Sequence, residues 1–132
     1  MNQTSKEWIE FARTDILSCK KLINDDFLTN ILAFHSHQAI EKSLKAVIEQ
    51  FKLKFVKTHD LLVLYEIIEK NIKLDFDYLL LEKLNEVYIE SRYPSELGIL
   101  PYGKPTIVDS SKLFYFAEDL FNKIETALNN IS

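Results

Sequence analysis

The chain has 132 residues, which is enough for one domain, spanning residues 1–132, to bury a core without disulfide bonds or a metal ion. Its single cysteine, Cys19, excludes a disulfide-built scaffold, and its net charge of -4 argues against duplex DNA as a ligand, because phosphate neutralisation drives that binding. No apolar run approaches the roughly 18 residues of a membrane-spanning helix, and the polar first residues do not resemble a signal peptide. We therefore expect a cytoplasmic protein with no membrane association.

The placement of glycine and proline predicts an all-α fold. The 2 Gly and 3 Pro all fall between residues 94 and 105, and residues 1–93 contain neither. Because these two residues are the least favourable in a helix interior, their absence favours long helices. Residues 93–108 hold every one of them and are therefore predicted to form an irregular loop.

Apolar residues recur at three- and four-residue steps in five segments, which predicts five helices. The mostly short connections imply antiparallel neighbours, and hence an up-and-down bundle of four to five helices. The predicted helices run from about 5 to 23, 27 to 51, 59 to 70, 77 to 92 and 110 to 130. Residues suited to cap the first, third, fourth and fifth helices are Thr4 (with Glu7), Thr58, Asp75 or Asp77, and Asp109.

The second predicted helix carries a polar edge on which side chains follow one another at three- or four-residue steps. Its members are His35, Gln38, Lys42, Lys45 and Glu49. His37 lies two residues from His35 and so points about 200° away from it on a helix. We expect His37 near the core and His35 on the polar edge, an arrangement that cannot chelate one metal ion. No metal ion or other cofactor is predicted.

Three stretches resemble the HEPN domain family (higher eukaryotes and prokaryotes nucleotide-binding) in order and spacing. Residues 34–46 (FHSHQAIEKSLKA) are similar to the pattern F-x-x-x-Q-A-x-E-K-x-L-K of its second helix. Residues 57–61 (KTHDL) match its K-T-H-D-L at the start of the third helix, and residues 88–94 (YIESRYP) match its Y-x-x-S-R-Y-P at the end of the fourth. The three motifs occur in the family's order between residues 34 and 94, and Trp8 followed by Ala12 and Asp15 also resembles the family's opening.

The resemblance implies an antiparallel bundle that commonly forms homodimers, in a bacterial or archaeal context. Many such proteins are encoded beside a minimal nucleotidyltransferase. In that arrangement the HEPN protein resembles a partner of the nucleotidyltransferase that binds its nucleotide or substrate, or one half of a toxin–antitoxin pair.

One departure from the family pattern bears on catalysis. HEPN ribonucleases use an Arg followed, after four to six residues, by His, whereas neither Arg13 nor Arg92 has a His in that range. Metal-independent RNA cleavage needs an acid–base group near the 2′-hydroxyl, and histidine is the usual choice because its pKa lies near 7. A non-catalytic protein is therefore expected.

The candidate ligand-binding residues converge on one end of the predicted bundle. Lys57, His59 and Arg92 would meet there, beside the N-terminus of the third helix, whose backbone N–H groups suit an anion. The remaining candidates are Asp60, Tyr88, Tyr93, His35, Gln38, Lys42 and Lys45.

Structural roles are the alternative for the same residues. Thr58 would then cap the third helix, His59 would order the loop, and Arg92 would pair with Asp60 or Glu90. Gln38, Glu41, Lys42 and Lys45 could line a groove or a dimer interface, whereas a Glu41–Lys45 pair would need no ligand. The basic stretch formed by Lys52, Lys54 and Lys57 could hold a phosphate or a short RNA, or could be a solvated loop.

Three functions stay open at this point. The first is a nucleotide- or RNA-binding HEPN protein. The second is a divergent metal-independent ribonuclease toxin in which His59 and Arg92 act. The third is a structural protein that binds a partner by helix packing.

Overall fold

The computed structural model describes residues 1–92 and 104–131, which form five helices. They are α1 (Gln3–Leu22), α2 (Thr29–Gln50), α3 (Leu61–Ile68), α4 (Tyr78–Arg92) and α5 (Ile107–Asn129). Each corresponds to one predicted helix, which confirms the all-α helical bundle. No strand occurs in either described range.

Helix α1 begins earlier than predicted, because Asn2 and not Thr4 is its N-cap. The Asn2 side chain accepts a hydrogen bond from Ser5 N at 2.8 Å. Asn2 also donates through its backbone to the Gln50 side chain at 2.7 Å and through its amide to Glu49 O at 3.0 Å. Both residue types cap helices well, and these contacts with the end of α2 explain why Asn2 and not Thr4 is the N-cap of α1.

Two further caps differ from the prediction. Asp60, not Thr58, caps α3, while the Thr58 hydroxyl accepts a hydrogen bond from Asp60 N at 3.0 Å. Thr106, not Asp109, caps α5 and accepts from Asp109 N at 3.0 Å. Residues 107–108 are therefore helical and not part of a loop. Asp109 lies in the first turn, where its negative charge interacts favourably with the helix dipole.

For α4 the sequence predicts Asp75 or Asp77 as the N-cap, and the structure confirms Asp77. Asp77 accepts a hydrogen bond from Leu79 N at 3.0 Å.

Polar contacts along α1 fix the directions of its two neighbours. Ser5 donates to Ala46 O at 2.9 Å near one end of α1, and the Cys19 thiol lies 3.7 Å from Leu32 O near the other, so α1 and α2 are antiparallel. Ion pairs Arg13–Glu125 and Lys20–Glu118 give α1 and α5 the same antiparallel relation.

Helix α2 is the centre of the bundle and contacts all four other helices. Its small residues allow close approach, and Ser36 and Ser43 satisfy their hydroxyls by donating to Leu32 O and Ala39 O at 2.8 and 2.6 Å. Cys19 of α1 lies against Ser36 and is buried. Burial raises the pKa of the Cys19 thiol to about 12, so it stays protonated.

The connection after α2 folds back along that helix. Lys52 N donates to Glu49 O at 3.3 Å and Leu53 N donates to Ile48 O at 2.9 Å, the bond pattern of a Schellman motif. Lys52 holds the left-handed position of this motif, with φ of 54°. The reversal allows His59 to lie beside Glu41, which precedes it by 18 residues.

Replacing Lys52 with glycine should stabilise the fold. A left-handed non-glycine residue costs about 1–2 kcal/mol, whereas glycine loses only about 0.5–1 kcal/mol more chain entropy on folding, so we expect Lys52→Gly to raise the free energy of unfolding by about 0.5–1 kcal/mol. Urea unfolding followed by circular dichroism measures the change. The matched control Lys54→Gly should lower stability, because Lys54 is not among the residues with positive φ. Equal or lower stability for Lys52→Gly than for Lys54→Gly would contradict the proposed strain.

Candidate functional site

The carboxylate of Glu41, on α2, is buried and receives hydrogen bonds from two other side chains. Lys45 Nζ donates to Oε2 at 2.8 Å, and His59 Nδ1 donates to Oε1 at 2.9 Å. The Glu41 side chain is only 4% exposed. Burial alone would raise the pKa of Glu41, but the hydrogen bonds from Lys45 and His59 outweigh burial and hold this pKa below its usual value. Glu41 is therefore charged at neutral pH and orients both donors.

A second buried carboxylate, Asp15 of α1, organises the other part of the α2 polar edge. Lys42 Nζ donates to one of its oxygens at 2.7 Å, and His35 Nδ1 donates to the other at 2.8 Å. Gln38 lies between these two donors in sequence, is partly exposed and makes no side-chain hydrogen bond within the described residues. The polar edge predicted from the sequence is therefore present, with its cations held by carboxylates.

A cluster of rings lies next to the Glu41 carboxylate and is centred on Tyr88 of α4. The Tyr88 ring lies 3.8 Å from the His37 ring, 5.7 Å from the Phe34 ring and 5.9 Å from the His59 ring, measured between centroids. Its plane is within 26° of Phe34 and 20° of His59, so these three rings are nearly parallel. Tyr88 itself is buried, whereas the His59 side chain is 59% exposed. His59 is thus the ring of this cluster that a ligand reaches most easily.

The start of α3 is closed by protein groups. Asp60 accepts hydrogen bonds from Leu62 N and Val63 N, and it also accepts from Asn85 Nδ2 at 3.1 Å. The Asn85 side-chain oxygen accepts from Leu61 N at 3.0 Å. These first backbone N–H groups of α3 are therefore satisfied, and Asp60 occupies the anion position expected there.

The other sequence candidates at this end of the bundle are placed less completely. Lys57 is exposed, two residues before His59. Arg92 is the last residue of α4, one turn after Tyr88. The Arg92 side chain and the whole of Tyr93 lie outside the described residues, so the convergence of Arg92 with Lys57 and His59 and the role of Tyr93 stay predictions.

His37 is fully buried, as expected, and neither of its ring nitrogens has a hydrogen-bond partner within the described part of the chain. Burial lowers the pKa of His37 from 6.5 to about 4, against the opposing influence of Glu41, 3.9 Å away, the Asn85 side chain and the His59 backbone. His37 is therefore neutral at pH 7 and packs against Tyr88 as a polar core residue.

The sequence indicates Glu41 as a possible lining residue of a groove or dimer interface or as the partner of Lys45, and it does not indicate Asp15 as a site residue. In the structure these two acids position four of the candidate side chains. The signal for Glu41 was its place four residues after His37, which was expected near the core, because residues four apart lie on the same face of a helix.

Comparison with known protein families identifies the family of this all-α domain. A family model for the HEPN domain matches residues 5–127, and the chain belongs to that family. No curated protein and no solved structure shows a significant match.

Neither a membrane-spanning helix nor a metal-binding cluster occurs within the described ranges. No helix there is both long and apolar enough to cross a membrane. The same residues contain no cluster of three or more His, Cys, Asp or Glu able to hold a metal ion.

Stability should fall with acidification through His37. Its pKa is about 4 when folded but near the ordinary 6.5 when unfolded, so the unfolded state binds a proton first as the pH falls. The contribution is therefore complete above pH 6.5 and is lost progressively towards pH 4; between pH 7 and 5 we expect a loss of about 2 kcal/mol.

Urea unfolding of wild type and His37→Gln at pH 7 and pH 5 measures this term. The glutamine variant should lose markedly less stability over the interval than the wild type does. The same decline in wild type and His37→Gln would show that His37 does not carry the pH dependence.

Proposed function

We propose that this chain is a non-catalytic nucleotide- or RNA-binding HEPN protein. Its site is the polar face formed by His35, Gln38, Lys42, Lys45, Lys57 and His59. The proposal includes action as a homodimer in the cytoplasm of a bacterium or archaeon, with a minimal nucleotidyltransferase as partner, in an arrangement similar to a toxin–antitoxin pair. The observation that carries it is the exposed His59 ring held in place by a buried carboxylate.

His59 is suited to contact a nucleotide in two ways. Its Nδ1 donates to Glu41, which leaves Nε2 to bind a polar group of a ligand, since Nε2 has no hydrogen bond within the described residues. Its ring is already nearly parallel to Tyr88, so a base can stack on an aromatic surface that is ordered before binding. Preorganisation of this kind lowers the entropy cost of binding.

The charges of the face suit individual phosphate groups better than a DNA duplex. Lys42 and Lys45 are neutralised by Asp15 and Glu41, respectively, and their side chains are 24% and 11% exposed. Lys57 is exposed and has no ion pair among the described residues. One uncompensated lysine beside a fixed imidazole fits the phosphate of a nucleotide, whereas duplex DNA requires many such contacts.

The Glu41–His59 pair also favours the catalytic alternative. A carboxylate that holds one imidazole nitrogen while the other faces the ligand is the arrangement used to orient a general acid–base. A divergent, metal-independent ribonuclease would need His59 together with a phosphate-binding group, for which Arg92 is the candidate. The absence of the family's Arg-x(4–6)-His spacing favours binding over cleavage.

The proposed homodimer has a suitable surface at the start of α5. Ile107, Val108 and Tyr115 are exposed there and, with Ser111 and Lys112, line an open cavity of about 470 Å³. Apolar and aromatic side chains of this kind are enriched in protein interfaces. The same surface is the observation that favours a purely structural, helix-packing role.

Nucleotide binding should perturb the polar face selectively. Titration of the full chain with AMP and with ATP, followed by heteronuclear NMR, should shift the resonances of His35, Gln38, Lys42 and His59. We expect His59→Ala to weaken the affinity about tenfold, which corresponds to about 1.4 kcal/mol. Lys57→Gln should weaken ATP binding, and the matched control Lys70→Gln, at an exposed lysine after α3, should not.

Absence of any perturbation at millimolar nucleotide would overturn the binding proposal. Metal-independent cleavage of RNA that is lost in both His59→Ala and Arg92→Ala would replace it with the ribonuclease. Thermal unfolding of each variant confirms that the substitutions leave the fold intact.

A further inference from the structure

The connection between α2 and α3 exposes lysines and an aromatic ring together. Lys52, Lys54 and Lys57 are all exposed, and the Phe55 ring between them is 51% exposed. Residues 51–59 contain no acidic side chain, although the chain as a whole carries a net charge of -4. This segment is therefore a cationic, aromatic patch on an acidic protein.

The exposure of the side chains alternates from Phe55 to Asp60, at the start of α3. Phe55, Lys57 and His59 are exposed, whereas Val56 and Thr58 are partly covered. Alternation with a period of two is the pattern of an extended chain, in which every second side chain lies on the same side, about 6–7 Å apart. Phe55, Lys57 and His59 thus form a ring–cation–ring series that leads into the candidate site.

We propose that this series binds single-stranded RNA. Bases stack on the rings of Phe55 and His59, and Lys52, Lys54 and Lys57 contact the phosphates between and beside them. The inference rests on the proposed function and deepens it. It makes the ligand a strand that continues beyond the His59 site and assigns base stacking to Phe55.

The chemistry of the patch favours a single strand over other anions. An unpaired strand offers base faces and phosphates in alternation, and proteins bind it by combining aromatic stacking with a cationic track. A duplex keeps its bases stacked internally and offers Phe55 none of their faces. An anionic lipid surface would also attract lysines and a phenylalanine, but it gives no role to a His59 ring fixed by Glu41.

Fluorescence anisotropy with the full chain and a labelled RNA of about 12 nucleotides, within the length range of single-strand sites, tests this inference. Because loss of one stacked base costs about 1–3 kcal/mol, Phe55→Ala should weaken binding about five- to 150-fold. Phe55→Tyr should retain most of the affinity. Phe11→Ala provides the matched control, because Phe11 is 58% exposed on α1, and it should bind as wild type does.

The salt dependence of the same binding reports the phosphate contacts. Three lysine contacts to a single strand predict a slope of log affinity against log salt of about -2, since each contact contributes about -0.7. Lys54→Gln should reduce the slope by about 0.7. Lys70→Gln, at an exposed lysine after α3, should leave it unchanged.

Three outcomes would overturn the inference. They are no RNA binding by wild type, equal RNA affinity of Phe55→Ala and Phe11→Ala, or binding of phosphatidylserine vesicles, without RNA binding, that disappears in Phe55→Ala.

Titration of Phe55→Ala with AMP separates this inference from the proposed function. Unchanged AMP binding with weakened RNA binding supports both. If Phe55→Ala has normal RNA affinity and AMP binding still depends on His59, the single-strand inference is wrong but the proposed function stands. If AMP binding does not depend on His59, the proposed function itself is wrong.

Discussion

The buried charge of Glu41 is the constraint on which the arrangement of the polar face depends. A carboxylate that is 4% exposed on the central helix must be compensated, because an isolated charge in the interior is strongly destabilising. Lys45 provides compensation from one turn further along α2. His59 provides it from the connection to α3, which must therefore fold back along α2 after the reversal at Lys52.

The same constraint links the fold to the proposed chemistry. Once Nδ1 of His59 is held by Glu41, the imidazole ring lies nearly parallel to Tyr88, and its position is set before any ligand binds. Asp15 acts in the same way on His35 and Lys42 across the α1–α2 interface. A site built on side chains held by two packed helices loses little conformational freedom on binding, which favours affinity without large numbers of charges.

The sequence was sufficient for the helices, because their apolar periodicity and the confinement of glycine and proline to residues 94–105 depend only on local preference. The caps were less predictable. Thr4, Thr58 and Asp109 are all good capping residues, but Asn2 and Asp60 make additional contacts with α2 and with Asn85, and these tertiary contacts decide the helix starts.

The site was predictable in part for the same reason. Periodicity placed His35, Gln38, Lys42 and Lys45 on one edge of α2, and that edge exists. The burial of Glu41 depends on which helices pack around it, and its partner His59 lies 18 residues away, so neither follows from local sequence. The left-handed conformation of Lys52 was equally hidden, because glycine is the usual residue at that position.

A double-mutant cycle between Glu41 and Lys45 tests the role of the buried charge most directly. Glu41→Gln leaves the Lys45 ammonium without its carboxylate, and Lys45→Met removes one of the two side-chain donors to Glu41 among the described residues. Each should lower the free energy of unfolding in urea by about 2–3 kcal/mol, and the double variant should lose at least about 1 kcal/mol less than the sum. Additivity within about 0.5 kcal/mol would contradict the claim that this carboxylate organises the surrounding side chains.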